Sequence, residues 1–197
     1  MNAGKIILAS RSPRRLELLS TFVPAARIMV IASNVDETIK PGERVEDYCQ
    51  RIAREKAMGV WKEYSGMCET VVAVIGADTV VVLGREIIGQ PRDPDDAVRI
   101  LRNLSGRRHV VVTGIALLFP PSARLNTFAV KSRIWMRRND DQTIEDYVAT
   151  GEPLDKAGAY ALQGQGGRLV ARYAGSYSNI VGLPVDELRR ALSGVLP

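Results

Sequence analysis

Apolar residues recur along this chain in two rhythms, and the alternation between them sets the expected fold. Lys5-Ile-Ile-Leu-Ala9 is short and apolar, as a buried strand is. Ser12-Pro13 then offers an N-cap hydroxyl followed by proline at the first helical position, which predicts a helix to about Leu19. A second strand is expected around Arg27 to Ile31. The acidic stretch Asn34-Val-Asp-Glu37 has no periodicity and reads as a loop, where carboxylates become functional candidates. Val45, Tyr48, Cys49, Ile52 and Ala53 fall on one face at helical spacing, predicting a helix from Val45 to Trp61 that carries Lys56. Val71-Val-Ala-Val-Ile-Gly-Ala77 is apolar throughout and rich in β-branched residues, the pattern of a central strand covered on both faces; it is expected to end in Asp78-Thr79.

Farther along, Val80 to Leu83 and Ile87-Ile88 flank Gly84 as a hairpin, and Asp93-Pro94 starts a helix to Leu104. His109 to Leu118 and Thr127 to Met136 read as strands. Thr143 with Asp146 three residues later resembles a capping box for a helix reaching Thr150. Gly151 to Gly182 is Gly-rich and expected to be loop, and Pro184 to Leu192 to be a last helix. No repeat of solenoid length interrupts this order. Strands and helices alternate, so the expected class is α/β with a mixed sheet.

Length and composition refine this only slightly. A chain of 197 residues suits one domain, 1–197, with its core in one or two lobes, and 46% hydrophobic with 25% charged residues is the balance of an ordinary globular protein. No apolar run approaches the ~20 residues that cross a bilayer. The segment Met1 to Ser10 meets Arg11 too soon for a secretory signal, so a soluble, cytoplasmic protein is expected. Cys49 and Cys68 lack the number and spacing of a disulfide framework or a zinc site and are expected as reduced thiols. The net charge of +5 and pI near 9.4 favour an anionic partner without saying whether it is a polymer or a nucleotide. Arg14-Arg15, Arg107-Arg108 and Arg137-Arg138 have no zinc-finger or aromatic RNA-binding motif beside them, so nucleic acid is the weaker reading.

Several motifs fail on inspection. Gly84-Arg-Glu-Ile-Ile-Gly89 has the glycine spacing of a phosphate loop, but Gln90-Pro91 stands where Lys and Ser or Thr are required. Gly164-Gln-Gly166-Gly167-Arg-Leu169 puts Leu169 where the dinucleotide pattern needs glycine. His109 is the only histidine, which leaves Ser-His-Asp hydrolysis and imidazole metal sites unsupported and makes His109 structural. Hydrolytic chemistry would then rest on carboxylates, cations and a divalent ion. Ala9 to Arg15 is a better anion site: it joins a strand end to a helix N-terminus, and Arg14 and Arg15 oppose the helix dipole unless an anion is expected there. Asp78 reads equally as a catalytic carboxylate at a strand end and as a turn residue with Thr79.

Six blocks, in order across nearly the whole chain, resemble the Maf family. They are Leu8-Ala-Ser-Arg-Ser-Pro-Arg-Arg15, Glu55-Lys-Ala57, Gly76-Ala-Asp-Thr-Val80, Leu104-Ser-Gly106 with His109 and Thr113-Gly114, Gly151-Glu-Pro-Leu-Asp-Lys-Ala-Gly-Ala-Tyr160, and Gly175-Ser-Tyr-Ser-Asn-Ile-Val-Gly-Leu-Pro184. The resemblance implies a Maf-like fold, akin to inosine triphosphate pyrophosphatase: a mixed sheet with flanking helices, two lobes around a deep cleft, often a homodimer. It implies cleavage of nucleoside triphosphates between the α and β phosphates with a divalent cation, Mg2+ or Mn2+. Asp78 would be the proton acceptor, Glu37 a carboxylate near the metal with Asp78, and Ser10, Arg14, Arg15 and Lys56 the holders of the triphosphate. The base-recognition positions fall on Arg14, Thr79 and Gln163, a combination similar to the branch acting on dTTP and UTP. One departure is Gln90, where the family commonly has lysine. The competing reading is a nucleotide- or nucleic-acid-binding regulator of cell division without turnover, but a polymer binder gains nothing from Asp78 and Glu37 in a positive groove.

Overall fold

The computed structural model describes residues 4–64 and 70–195, so Cys68 lies outside the described residues, while Cys49 is a buried thiol. Strand β1 (Lys5–Ala9) pairs in parallel with β2 (Ile28–Ile31) on one side and β3 (Val71–Leu83) on the other, placing Ala9 opposite Ile31 and Gly76. The sheet continues through β5 (Arg108–Phe119) and β6 (Arg124–Met136) to β7 (Val170–Ala174), with β4 (Glu86–Ile88) paired antiparallel to β3. β6 and β7 are also antiparallel, so this is the mixed sheet expected. Helix α1 (Pro13–Ser20) starts as predicted, with the Ser12 hydroxyl accepting the Arg15 N–H and proline in the first turn. α2 (Val45–Tyr64), α3 (Pro94–Leu104), α4 (Asp141–Val148), α5 (Tyr177–Val181) and α6 (Val185–Ala191) follow. Among the described residues, no helix is long and apolar enough to cross a membrane.

The chain divides into two compact units: Met1–Asp78, Thr113–Val130 and Gly182–Pro197 form one, and Thr79–Val112 with Lys131–Val181 the other. In the first, strand alternation sorts side chains onto two covered faces. Ile6 and Leu8 of β1, Ala73, Ile75 and Ala77 of β3, and Ile115 and Leu117 of β5 bury one face with Leu19, Leu188 and Leu192 from α1 and the region of α6. Ile7, Ala9, Val74, Ala116 and Leu118 bury the other face against Ala53, Ala57 and Val60 of α2. The second unit has its own core, in which Val81, Ile88, Val111 and Ile134 meet Leu101 and Leu104 of α3 and Tyr147 of α4.

Three expectations are corrected. β3 does not end at Asp78-Thr79 but runs on to Leu83, because Val80-Val-Val-Leu83 continues the β-branched pattern and one polar pair does not break it. α4 is capped by Asp140, whose carboxylate accepts the Thr143 N–H at 2.8 Å, so Thr143 lies inside the first turn. The Gly-rich stretch is not all loop: three 3-10 segments (Glu152–Asp155, Ala157–Ala159, Gly164–Leu169) lead into β7 and α5. β7 carries no sequence signal because four of its five residues are exposed, so it lacks the apolar run that marks a strand.

Candidate active site

Parallel strands β1 and β2 end side by side, and the segments that follow each carry candidate residues, as ligand sites in open α/β sheets do. After Ala9 comes Ser10, buried at 5% exposure. Its hydroxyl accepts the Ser12 N–H and Arg15 Nη1, both at 3.2 Å, while Arg15 Nε donates to the Gly182 carbonyl at 2.9 Å. Burial draws the Arg15 guanidinium below its ordinary pKa; the charges of Asp78 and Glu37 oppose that shift and neighbouring Arg14 adds to it. Arg14, Arg15, Glu37 and Asp78 therefore share one electrostatic neighbourhood.

Beyond Ile31 the chain forms the loop that carries Glu37. Asp36 turns back on it, accepting the N–H and hydroxyl of Thr38 at 2.9 and 2.6 Å, bonds that hold its carboxyl below the usual range. Two donors from α2 then grip consecutive carbonyls: Tyr48 Oη donates to Glu37 at 2.9 Å and Arg51 Nη2 to Thr38 at 3.0 Å. Arg51 is itself fixed by Glu43 at 2.6 and 2.8 Å, which brings the Glu43 carboxyl down to about 2. Of the acid pair on this loop, Glu37 is the one that reaches Lys56.

The third contribution comes from α2 against β3. Val74, Gly76 and Asp78 alternate onto the face that α2 covers, and Lys56 lies on the helical stripe of Ala53, Ala57 and Val60. The approach is close. A Cβ on Gly76 would lie 1.9 Å from the Ala53 carbonyl oxygen, and one on Gly114 of β5 would lie 2.3 Å from the Cys49 backbone. Only glycine admits the helix at this depth, and that depth puts Lys56 Nζ 2.8 Å from Asp78 Oδ1 and 2.7 Å from Glu37 Oε1. Asp78 is 5% exposed, and its second oxygen, Oδ2, is buried without a hydrogen-bond partner. A buried oxygen left without a donor is costly unless something fills the position, and either a cation or a water proton would do so.

Ser10, Arg14, Arg15, Glu37, Lys56 and Asp78 thus lie together in the first unit. Thr79, half-buried, is the next residue of β3, and Gln163, half-buried, immediately precedes the 3-10 segment Gly164–Leu169; both belong to the second unit. His109 is structural as expected: it is buried, its Nε2 lies 2.7 Å from the Tyr160 hydroxyl, and burial lowers its pKa to about 4. Gln90 donates to the Asp155 carbonyl at 3.1 Å, so its amide serves as an internal tie. Gly84 takes a positive φ of 64° in the β3–β4 hairpin that its flanking strand residues predict. Sequence reasoning missed Tyr48, Arg51, Gly76 and Gly114. The two glycines left a signal, since glycine inside a β-branched run marks a close backbone approach.

The chain matches a family model described as Maf-like protein over residues 5–195. It is 47% identical over 191 residues to the dTTP/UTP pyrophosphatase of Geotalea uraniireducens (strain Rf4), covering 95% of each chain. The dTTP/UTP pyrophosphatase of Anaeromyxobacter dehalogenans (strain 2CP-C) is 47% identical over 196 residues, 96% of this chain and 95% of that one. That of Pseudoalteromonas atlantica (strain T6c / ATCC BAA-1087) is 43% identical over 189 residues, with 95% of each chain covered.

Proposed function

The chain belongs to the Maf family, and from that premise we propose that it hydrolyses dTTP and UTP to the nucleoside monophosphate and pyrophosphate. The observation that carries this reading is the Lys56 bridge between Asp78 and Glu37, with Asp78 Oδ2 unpartnered beside a cationic strand-to-helix loop. The Asp78 carboxylate is the proton acceptor. It takes a proton from a water that attacks the α-phosphorus, the bond to the bridging oxygen breaks, and the electron pair leaves with pyrophosphate. Lys56 orients Asp78 through Oδ1, and Arg14, Arg15 and the amides that open α1 offset charge on the phosphates as the leaving group departs. Ser10 adds a hydroxyl already fixed by Arg15.

A divalent cation fits the donor set. Asp78 Oδ2 needs a partner and Glu37, its side chain 53% exposed, supplies a second hard oxygen; Mg2+ is commonly held by one or two carboxylates together with substrate phosphates. Asp78 and Glu37 would hold it, and when bound it polarises the phosphate oxygens. Base selection is assigned to Arg14, Thr79 and Gln163. The Gln163 carboxamide can accept from N3–H of uracil or thymine and donate to the adjacent carbonyl, whereas cytosine presents the reverse pattern.

The test is pyrophosphate release by the purified protein from a panel of triphosphates, with and without a chelator. UTP and dTTP should give the highest kcat/KM, with UMP or dTMP as the other product and the activity lost on chelation. A maximum for CTP or ATP would refute the base assignment, and release of orthophosphate in place of pyrophosphate would refute the reaction.

A further inference from the structure

The stretch that carries Gln163 is built around one carboxylate. Glu152 Oε2 accepts the Gln165 N–H at 3.0 Å, while Oε1 accepts the Gly166 N–H at 3.1 Å and the Tyr147 hydroxyl at 3.0 Å. The Tyr147 oxygen in turn accepts the Ala161 N–H at 3.2 Å. Main-chain amides on both sides of Gln163 therefore end on the same two side chains. Burial pushes the Glu152 carboxyl up, but the Gln165 and Gly166 amides and the Tyr147 hydroxyl outweigh it and hold the group below its ordinary range. The fit leaves little room: a Cβ on Gly166 would lie 2.4 Å from the Ala161 carbonyl oxygen and 2.6 Å from Tyr147 Oη, and one on Gly164 would lie 2.8 Å from Glu152 Oε2.

All three donors that reach this carboxylate come from the protein, two of them main-chain amides just beyond Gln163, so its effect is exerted on the backbone from which Gln163 springs. Distinguishing uracil from cytosine requires a donor and an acceptor each placed to within roughly 0.5 Å, and that tolerance is set by the support beneath the side chain. We propose that Glu152, assisted by Tyr147, is the positioning residue for pyrimidine discrimination, fixing residues 161–166 so that the Gln163 amide meets only the uracil or thymine pattern. This rests on the assignment of Gln163 to the base made above.

Glu152→Gln separates this role from simple structural support. The substituted amide has one acceptor oxygen where three donors converge, so at least one N–H loses its bond while side-chain shape is kept. The UTP-to-CTP ratio of kcat/KM should fall about tenfold, through a higher KM for UTP, the size expected for losing a hydrogen bond to a charged group. Amide hydrogen exchange at Gln165 and Gly166 should quicken, and Tyr147→Phe should move both readouts the same way by less. If UTP and CTP lose efficiency equally in both variants, or neither changes, the proposal is overturned. The ratio of UMP to CMP affinities, measured by calorimetry in wild type and variants, reads the same discrimination without catalysis. Absence of UTP cleavage by the wild type would therefore strike the proposed reaction and leave the positioning role to be judged on that ratio.

Discussion

Asp78 gives one oxygen to Lys56 and keeps the other buried without a donor, which makes Asp78→Asn a sharp probe. The carboxamide can still accept from Lys56 through its oxygen, and Lys56 stays paired with Glu37, so the cost in stability should remain well below the roughly 3–5 kcal/mol of stranding a buried charge. The proposed proton acceptor is gone, however, and on that assignment turnover should fall by about 10²–10⁴-fold, the usual worth of a general base. Pyrophosphate release under saturating UTP, read beside a thermal melt, checks both halves; full activity in a folded Asp78→Asn protein rules the assignment out. At this scale the sequence marked Asp78 and Glu37 as candidates but left Asp78 balanced against a turn. No pattern along the chain could show that Lys56, 22 residues earlier, bridges the two acids.

At the scale of elements, that bridge is a product of how deeply α2 sits on the sheet. Adding one methyl at Gly76 would place carbon 1.9 Å from the Ala53 carbonyl and 3.0 Å from the Ala57 nitrogen, both backbone atoms that cannot swing aside. Gly76→Ala should destabilise the protein by about 3 kcal/mol, the upper range of overpacking, and lower kcat by shifting Lys56 from Asp78. Gly59, on the same helix, is the control: a Cβ there meets nothing within 4 Å, so Gly59→Ala should add up to about 1 kcal/mol through helix propensity. Denaturant titration of both variants checks the contrast, and equal effects would refute the close-approach argument. α1, α3 and the β3–β4 hairpin were legible because each is announced by local chemistry: Ser12-Pro13, Asp93-Pro94 and Gly84. β7 was not, because an exposed strand is defined by its hydrogen bonds to β6 rather than by its own residues.

For the whole molecule, acid stability should decline in two steps that belong to different units. His109 is held at about 4 against an ordinary 6.5 by burial, so the unfolded chain binds its proton first; this contribution is complete above pH 6.5 and is lost as pH falls to about 4. It amounts to roughly 3 kcal/mol. Glu43, lowered to about 2 by Arg51, contributes above pH 4.5 and loses that contribution as pH falls toward 2. His109→Gln should flatten the stability profile between pH 6.5 and 4 and leave the lower step in place; an unchanged slope in that range would exclude His109 as its source. The α/β class was readable because alternating strands and helices survive any error in their limits. Where the two units divide was not, since the division falls at Asp78-Thr79 inside β3, and a polar pair that reads as a strand end is in fact bridged by one continuous strand. That uninterrupted strand also gives the two acids unequal freedom. Asp78 stands mid-strand and can move only as the sheet moves, while Glu37 rides on a loop secured chiefly by two helix side chains. Over a catalytic cycle, adjustment to a substrate that arrives, reacts and departs would fall to Glu37, with Asp78 as the still point about which the chemistry turns.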